Sequence, residues 1–218
     1  MITLSKFFSL NFKYGTKATT NRGMKLMGGY QWDVMNIAEI AQGHNSALLD
    51  EDGKAYVIYH TKLNNRTAEH QLRVHQLFVN QDGWITAAPH EYNSKNDVAT
   101  VASVASQSYF SKAELAGTYD FILHKYNVDY ANYEYTKPVK VTLNTDGTVS
   151  GSQTGKWSVK DGCSYITLTL NNVSYNGVVV LRLVGGFSGS FGSSFLGGTH
   201  ERLSANGGAL TFAPHDLS

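Results

Sequence analysis

An all-β fold is what this sequence predicts, and three observations carry the prediction. Asp50-Glu51-Asp52-Gly53, Asn80-Gln81-Asp82-Gly83 and Asn144-Thr145-Asp146-Gly147 each end in Asp-Gly, the dipeptide that supplies positive φ in tight hairpins. Each leads into a β-favouring run: Ala55 to His60, Trp84 to Thr86, and Thr148-Val149. Helix signals are nearly absent, apart from a turn at Ser111 to Leu115. A calcium-loop reading of the Asp-Gly segments fails, because the other oxygen ligands of an EF-hand and its closing Glu are missing.

Taken in order, Ser46–Leu49 and Lys54–His60 form the first hairpin. His70–Val79 is a long strand in which Leu72, Val74 and Gln76 face one way and Arg73, His75 and Leu77 the other. It pairs through Asp82-Gly83 with Trp84–Ala87. Three to four antiparallel strands in this span are the size of one propeller blade. A Ser/Ala/Asn-rich stretch follows and reads as a linker over 96–114. A second unit over 115–183 carries six strands: Gly117–His124, Val139–Leu143, Thr148–Ser152, Gly155–Lys160, Ser164–Leu170 and Val173–Leu183. Short antiparallel strands in such number predict a small barrel or sandwich. Residues 184–218 form a Gly/Ser-rich tail with Phe187, Phe191 and Phe195, and read as a flexible, poorly specified segment with an edge hairpin as the alternative.

Composition narrows the function classes. The chain has 218 residues, 42% hydrophobic and 16% charged, with a formal net charge of +1. Near-neutral charge argues against nucleic acid or an anionic membrane as the main partner, since both select basic surfaces. No run approaches the ~20 apolar residues of a membrane helix. Met1 to Tyr14 holds only a short Phe7-Phe8-Ser9-Leu10 patch and no small-residue cleavage site, so it does not read as a signal peptide, and an export signal is expected upstream. Cys163 is the one cysteine; it reads as a small apolar filler rather than a nucleophile.

Longer motifs are more specific. Gly23-Met24-Lys25-Leu26-Met27-Gly28-Gly29-Tyr30-Gln31-Trp32 is followed by Gly43-His44-Asn45-Ser46-Ala47-Leu48-Leu49-Asp50, Tyr59-His60-Thr61, Leu72 to Leu77 and Asp82-Gly83-Trp84. In order and spacing these resemble the last blade of the arabinan-degrading branch of glycoside hydrolase family 43, a five-bladed β-propeller family. Gly117-Thr118-Tyr119, Val141 to Gly151, Gly155-Lys156-Trp157 and Tyr175 to Val178 resemble the ancillary β-barrel that follows that propeller. The resemblance covers residues 9–181 and not the tail. It implies that 1–95 are the end of the fourth blade and the last blade, and that the complete enzyme cleaves α-1,5-L-arabinofuranosidic bonds with inversion. It also implies an extracellular or periplasmic setting.

Inverting hydrolysis needs two carboxyl groups, an acid and a base, about 6.5–9.5 Å apart. The resemblance places the base Asp, a pKa-tuning Asp and the acid Glu in the first, third and fourth blades, upstream of this chain, so no catalytic residue is expected here. Among the remaining carboxylates, Asp33, Glu39, Glu69 and Glu91 match no motif. His44, at the start of an innermost strand, matches a family His that contacts a hydrated metal ion, usually calcium, at the propeller axis. A single imidazole plus water is a weak calcium site, and the alternative is a His bonded to backbone. Asn45 and Arg73 are the candidate substrate contacts, with arabinan or an arabino-oligosaccharide as the partner. Tyr126, Tyr130, Tyr133 and Tyr135 offer sugar-stacking faces or barrel packing, with Tyr133 and Tyr135 on one strand face. Three readings stand: part of an arabinan hydrolase, incomplete alone, with two exposed strand edges that invite an oligomer or a complementing N-terminal fragment; a non-catalytic glycan-binding module; or a hydrolase built on replacement carboxylates.

Overall fold

The computed structural model describes residues 26–33, 35–65, 67, 69–95, 97–124, 132–183, 192–199 and 209–214, with side chains up to 180. The N-terminal part of the family motif (Gly23 to Lys25), Tyr126, Tyr130, Phe187, Phe191, His200 and His215 lie outside the described residues.

The architecture is all-β. Strands β1 (Glu39–Leu49), β2 (Ala55–Leu63), β3 (His70–Val79) and β4 (Ile85–Glu91) form an antiparallel meander in the order β1-β2-β3-β4. The predicted turns make it. In each, the glycine amide bonds back to the first residue of the tetrapeptide: Gly53 to Asp50 (3.1 Å), Gly83 to Asn80 (3.0 Å) and Gly147 to Asn144 (2.9 Å). All three glycines hold φ between +78° and +88°, where a Cβ would be strained. The two faces of β3 divide as its alternation predicts. Leu72, Val74 and Gln76 lie opposite His60, Ile58 and Tyr56, whereas Arg73, His75 and Leu77 lie opposite Tyr59, Val57 and Ala55. Val57, Tyr59 and Leu77 then pack with Leu26, Met27, Ile85 and Ala87 into one core. Strand β1 begins at Glu39 rather than Ser46, because register shifts on either side of Gly43 break its pattern without ending the pairing.

The stretch read as a linker is packed structure. It holds two short helices, α1 (Val101–Ser106) and α2 (Lys112–Leu115), each with a capping box, Thr100 with Ser103 and Ser111 with Glu114. Val104 is fully buried among Tyr30, Trp32, Phe78, Ile122 and Val178, so the meander and the second sheet share a core.

That second sheet is a closed eight-stranded barrel. Its strands are β5 (Gly117–Leu123), β6 (Val139–Leu143), β7 (Thr148–Gly151), β8 (Gly155–Val159), β9 (Tyr165–Leu170), β10 (Val173–Leu183), β11 (Gly192–Thr199) and β12 (Ala209–Pro214), in the closed order β10-β11-β12-β5-β6-β7-β8-β9. All six expected strands are present. The tail adds two more where flexible chain was expected. β11 pairs with β10 from Asn176↔Thr199 to Leu183↔Gly192, and β12 pairs with β5 from Leu210↔Leu123 to Pro214↔Tyr119. Backbone hydrogen bonds make these pairings, so Gly/Ser composition does not prevent them. Phe121, Val141, Leu143, Trp157, Ile166 and Leu168 fill the interior, each worth about 1.5–3 kcal/mol on burial. Cys163 is buried with Sγ 3.5 Å from the Lys160 carbonyl, the filler position its context suggested.

The barrel also changes the count of open edges. β4 lies against β10, β11 and β12 and carries Pro89, which has no N–H to offer a further strand. β1 has β2 as its one strand neighbour among the described residues. Among the described residues, Tyr30 alone bridges β1 on its other side, at Glu39.

Candidate functional site

The meander positions two groups of polar side chains, on opposite faces. The first is built around Arg73. From β3 its Nε donates to Glu39 Oε1 at the start of β1 (2.5 Å), one terminal nitrogen donates to Gln71 Oε1 (2.7 Å), and the other donates to the Leu72 carbonyl (3.0 Å). Glu91, at the end of β4, stands 3.8 Å from the same Nε. Glu39 is nearly excluded from solvent, with its side chain 5% exposed, while Glu91 is 54% exposed. Tyr30 Oη adds a 3.4 Å contact to Glu39 Oε2. Burial pushes the Tyr30 and Tyr59 phenols well up, so both stay protonated at neutral pH. The cluster is an ion pair held under a tyrosine lid. Arg73 spends each of its three nitrogens on the protein, which leaves two N–H groups for any sugar.

Of the three candidate carboxylates, Glu39 and Glu91 therefore turn toward one guanidinium. Glu69 belongs to the loop before β3, where Asn65 and Thr67 contact it at 3.5 and 3.3 Å. Two carboxylates sharing a cation are not the acid and base that flank a glycosidic bond, where the acid must hold a proton beside the leaving oxygen.

The second group lies on the other face. Running the hairpin register back from Leu49↔Ala55 through Ser46↔Ile58 would set His60 directly opposite His44. The bulge moves the pairing to Gly43↔His60, and His44 takes a left-handed backbone (φ 46°). Its Nδ1 comes to 3.2 Å from Nδ1 of His60, with ring centroids 4.8 Å apart. His70 meets the His60 ring edge-on, with centroids 4.6 Å apart. Desolvation first, then the neighbouring His70, His44 and Lys62, holds the His60 imidazole below its ordinary 6.5, so it is neutral at pH 7. Asn45 is exposed beside His44 and has no side-chain hydrogen bond among the described residues. His44 and Arg73, both candidate site residues, are thus kept on different faces of the sheet. The hairpin register was the signal in the sequence that could have found His60.

Calcium is the ion that the resemblance attaches to His44. Calcium takes six to eight oxygen ligands at 2.3–2.6 Å. What faces His44 here is imidazole nitrogen, and among the described residues no group of three His, Cys, Asp or Glu could hold a metal ion. This donor set does not fit calcium.

Tyr133 is exposed in a turn with φ 54°, so it does not share a strand face with Tyr135.

Comparison with known proteins adds lineage. Residues 89–184 match the C-terminal lipocalin-like domain of glycoside hydrolase family 43. The chain is 37% identical over 160 residues to extracellular endo-α-(1→5)-L-arabinanase 2 of Bacillus subtilis, covering 72% of this chain and 31% of that protein. It is 34% identical over 172 residues to the extracellular endo-α-(1→5)-L-arabinanase of Thermotoga petrophila, covering 74% and 33%. Among solved structures, the family 43 YxiA protein of Bacillus licheniformis superposes with a TM-score of 0.72 at 26% identity, over 94% of this chain and 43% of that one. The chain spans about a third of the length of the curated relatives it matches.

Proposed function

We propose that this chain, whose residues 89–184 belong to the C-terminal lipocalin-like domain of glycoside hydrolase family 43, supplies the last propeller blade and the supporting barrel of an arabinan-degrading hydrolase. In that reading the complete enzyme hydrolyses α-1,5-L-arabinofuranosidic bonds with inversion, acting outside the cell as its named relatives do. The acid and base come from other blades. One observation carries the reading: the carboxylates that the meander brings together, Glu39 and Glu91, both face Arg73 and are salt-bridged rather than opposed across a gap. The chain's part in catalysis is then to hold a wall of the propeller against a rigid barrel. Strand β1, which among the described residues pairs with no strand but β2, is the surface on which the remaining blades, a complementing fragment or another copy would pack.

Reducing-sugar release from debranched arabinan by the purified chain tests this. The expected result is no release, with release restored when a polypeptide carrying the preceding blades is added. Release by the chain alone, surviving repurification and lost on alanine substitution of Glu39, Glu69 or Glu91, overturns it in favour of replacement carboxylates.

A second reading, a non-catalytic arabinan-binding module, is favoured by the exposure of Asn45 and Tyr133. Titration calorimetry with arabino-oligosaccharides separates it. Binding without turnover that Asn45→Ala or Tyr133→Ala weakens supports the module, and an absence of heat removes it.

A further inference from the structure

We propose that the tip of the β3–β4 hairpin, residues 81–84, is a surface site for a chain of neutral sugars, with the Trp84 indole as its stacking platform. The inference rests on the glycan-binding reading for the choice of arabinan as first ligand, and it names residues other than Asn45 and Tyr133.

The tryptophans set the contrast. Trp32 and Trp157 are 5% and 3% exposed and belong to hydrophobic cores. Their indole N–H groups donate to the carbonyls of Pro89 (3.4 Å) and Asn144 (2.8 Å). Trp84 is 38% exposed, lies in none of the cores among the described residues, and its indole N–H meets no acceptor there. Its backbone is nevertheless fixed. The Trp84 amide donates to Asn80 Oδ1 (2.9 Å), and the Asn80 amide donates to the Trp84 carbonyl (2.8 Å). Asn80 Nδ2 and Gln81 Nε2 reach across to the Asn176 carbonyl (2.8 Å) and Thr167 Oγ1 (3.2 Å) on the barrel. The exposed ring therefore stands on a fastened turn, and holding it in place for a ligand costs little further order.

The surroundings of the ring decide the class of ligand. Gln81, Asp82 and Gly83 are all exposed. They meet the outer face of β9 and β10, where Thr167 lies between Ser158 and Asn176, and Thr169 between Lys156 and Ser174. Among the described residues Gln81 Oε1 and Asp82 Oδ1 accept no hydrogen bond, so the turn offers a π face, one indole donor and two acceptors. The C–H groups of a sugar ring carry slight positive charge and pack on the negative face of an indole, while its hydroxyls use donors and acceptors at the rim. A protein partner would instead ask for contiguous apolar area, and the turn residues before Trp84 are polar or glycine. Asp82 disfavours an anionic ligand.

The test uses the full chain, titrated with debranched arabinan and separately with mixed-linkage β-glucan, and read by calorimetry and tryptophan fluorescence. Because Trp32 and Trp157 are buried, bound sugar should move the emission of Trp84 and shield it from acrylamide. Trp84→Ala should weaken arabinan binding at least about tenfold and abolish the emission change. Trp84→Phe keeps a ring without the N–H and should fall between. Leu72→Ala, at an exposed apolar residue elsewhere on the meander, should bind as the parent does. Circular dichroism confirms that each variant keeps its β signal. Arabinan binding that Trp84→Ala leaves intact, or no binding of either polysaccharide, overturns the site. So does a Trp84→Ala variant that changes the sedimenting species and not glycan binding, since the tip would then be a protein contact. Trp84-dependent binding of β-glucan alone upholds the site and counts against arabinan, so the two readings fail separately.

Discussion

Replacing Asn80 by Ala should unfasten the meander from the barrel. Asn80 is 2% exposed at the tip of the β3–β4 hairpin. Its Oδ1 accepts from the amides of Asp82 (3.0 Å) and Trp84 (2.9 Å), while its Nδ2 donates across to the Asn176 carbonyl on β10 (2.8 Å). Next to it, Gln81 Nε2 donates to Thr167 Oγ1 and Asn176 Nδ2 donates to Asp82 Oδ2. Three hydrogen bonds at about 1 kcal/mol each give a loss of ~3 kcal/mol, since burial keeps water from replacing them. At roughly 2–4 °C per kcal/mol for a chain of this size, the melting temperature should fall by ~6–12 °C. Asn144 is the internal control. It opens an equivalent Asp-Gly turn, but its Nδ2 reaches Thr148 Oγ1 and Ser150 Oγ where water can substitute. Asn144→Ala should cost about 1 kcal/mol or less. Asn80→Asp keeps the acceptor but sets a carboxylate oxygen against the Asn176 carbonyl, so it should do no better than Ala. Differential scanning calorimetry on the four proteins decides. Equal shifts for Asn80→Ala and Asn144→Ala would refute the idea that this hairpin tip is the fastening point.

Three further outcomes are expected. Ile122→Ala empties a fully buried position in the core shared by the two sheets and should cost about 2–5 kcal/mol by urea denaturation; a cost below about 1 kcal/mol would mean that this core is not shared. Gly155→Ala places a Cβ 1.9 Å from the Thr169 carbonyl oxygen, so the β8–β9 pair must part, at about 1–3 kcal/mol or more. A variant that melts with the parent contradicts that approach. Asp50 accepts from Tyr56 Oη and the Lys54 amide, and the Tyr56 bond above all holds its carboxyl below the ordinary 3.8. Its folded value is depressed, so its contribution is present above pH ~3.8 and is lost as pH falls through the folded value. Asp50→Asn should therefore be less stable than the parent at pH 6 and should converge with it in strong acid. A constant gap across the titration would show that the charge is not involved.

Much of the fold could be read from the sequence because turn chemistry is local. Gly53, Gly83 and Gly147 each need positive φ, and their spacing fixes the hairpins around them. The limits of β3 and of the first six barrel strands follow from the same punctuation. The start of β1 was hidden because its bulges put Ala41 and His44 in left-handed conformations that alternation cannot signal. α1 was hidden because its capping box uses Ser103 where the familiar signature has Glu or Gln, whereas Ser111 and Glu114 of α2 keep that signature. β11 and β12 owe their place to neighbours on both sides, a tertiary context that Gly/Ser composition cannot announce. At the site, His44 and Asn45 could be found by motif and His60 from the uninterrupted hairpin register, but Glu39 as the partner of Arg73 could not. Glu39 reaches Arg73 across 34 residues of chain, and His60 reaches His44 through a register that the bulge displaces.

Among the described residues, β4 packed on the barrel and β1 bridged beyond β2 only by Tyr30 set how many further strands the meander can take. A sheet with two free edges is a link, able to pair on either side and so to extend without limit. With β4 blunted by Pro89 and pressed against the barrel, the described meander has a single place for another strand. Two copies meeting there would each use the same edge, an isologous contact closed by a two-fold axis. Both sites are consumed in that one event. Self-association through β1 of the described meander would therefore stop at a pair, with the barrel as the chain terminator that would keep a partly exposed sheet from seeding fibres.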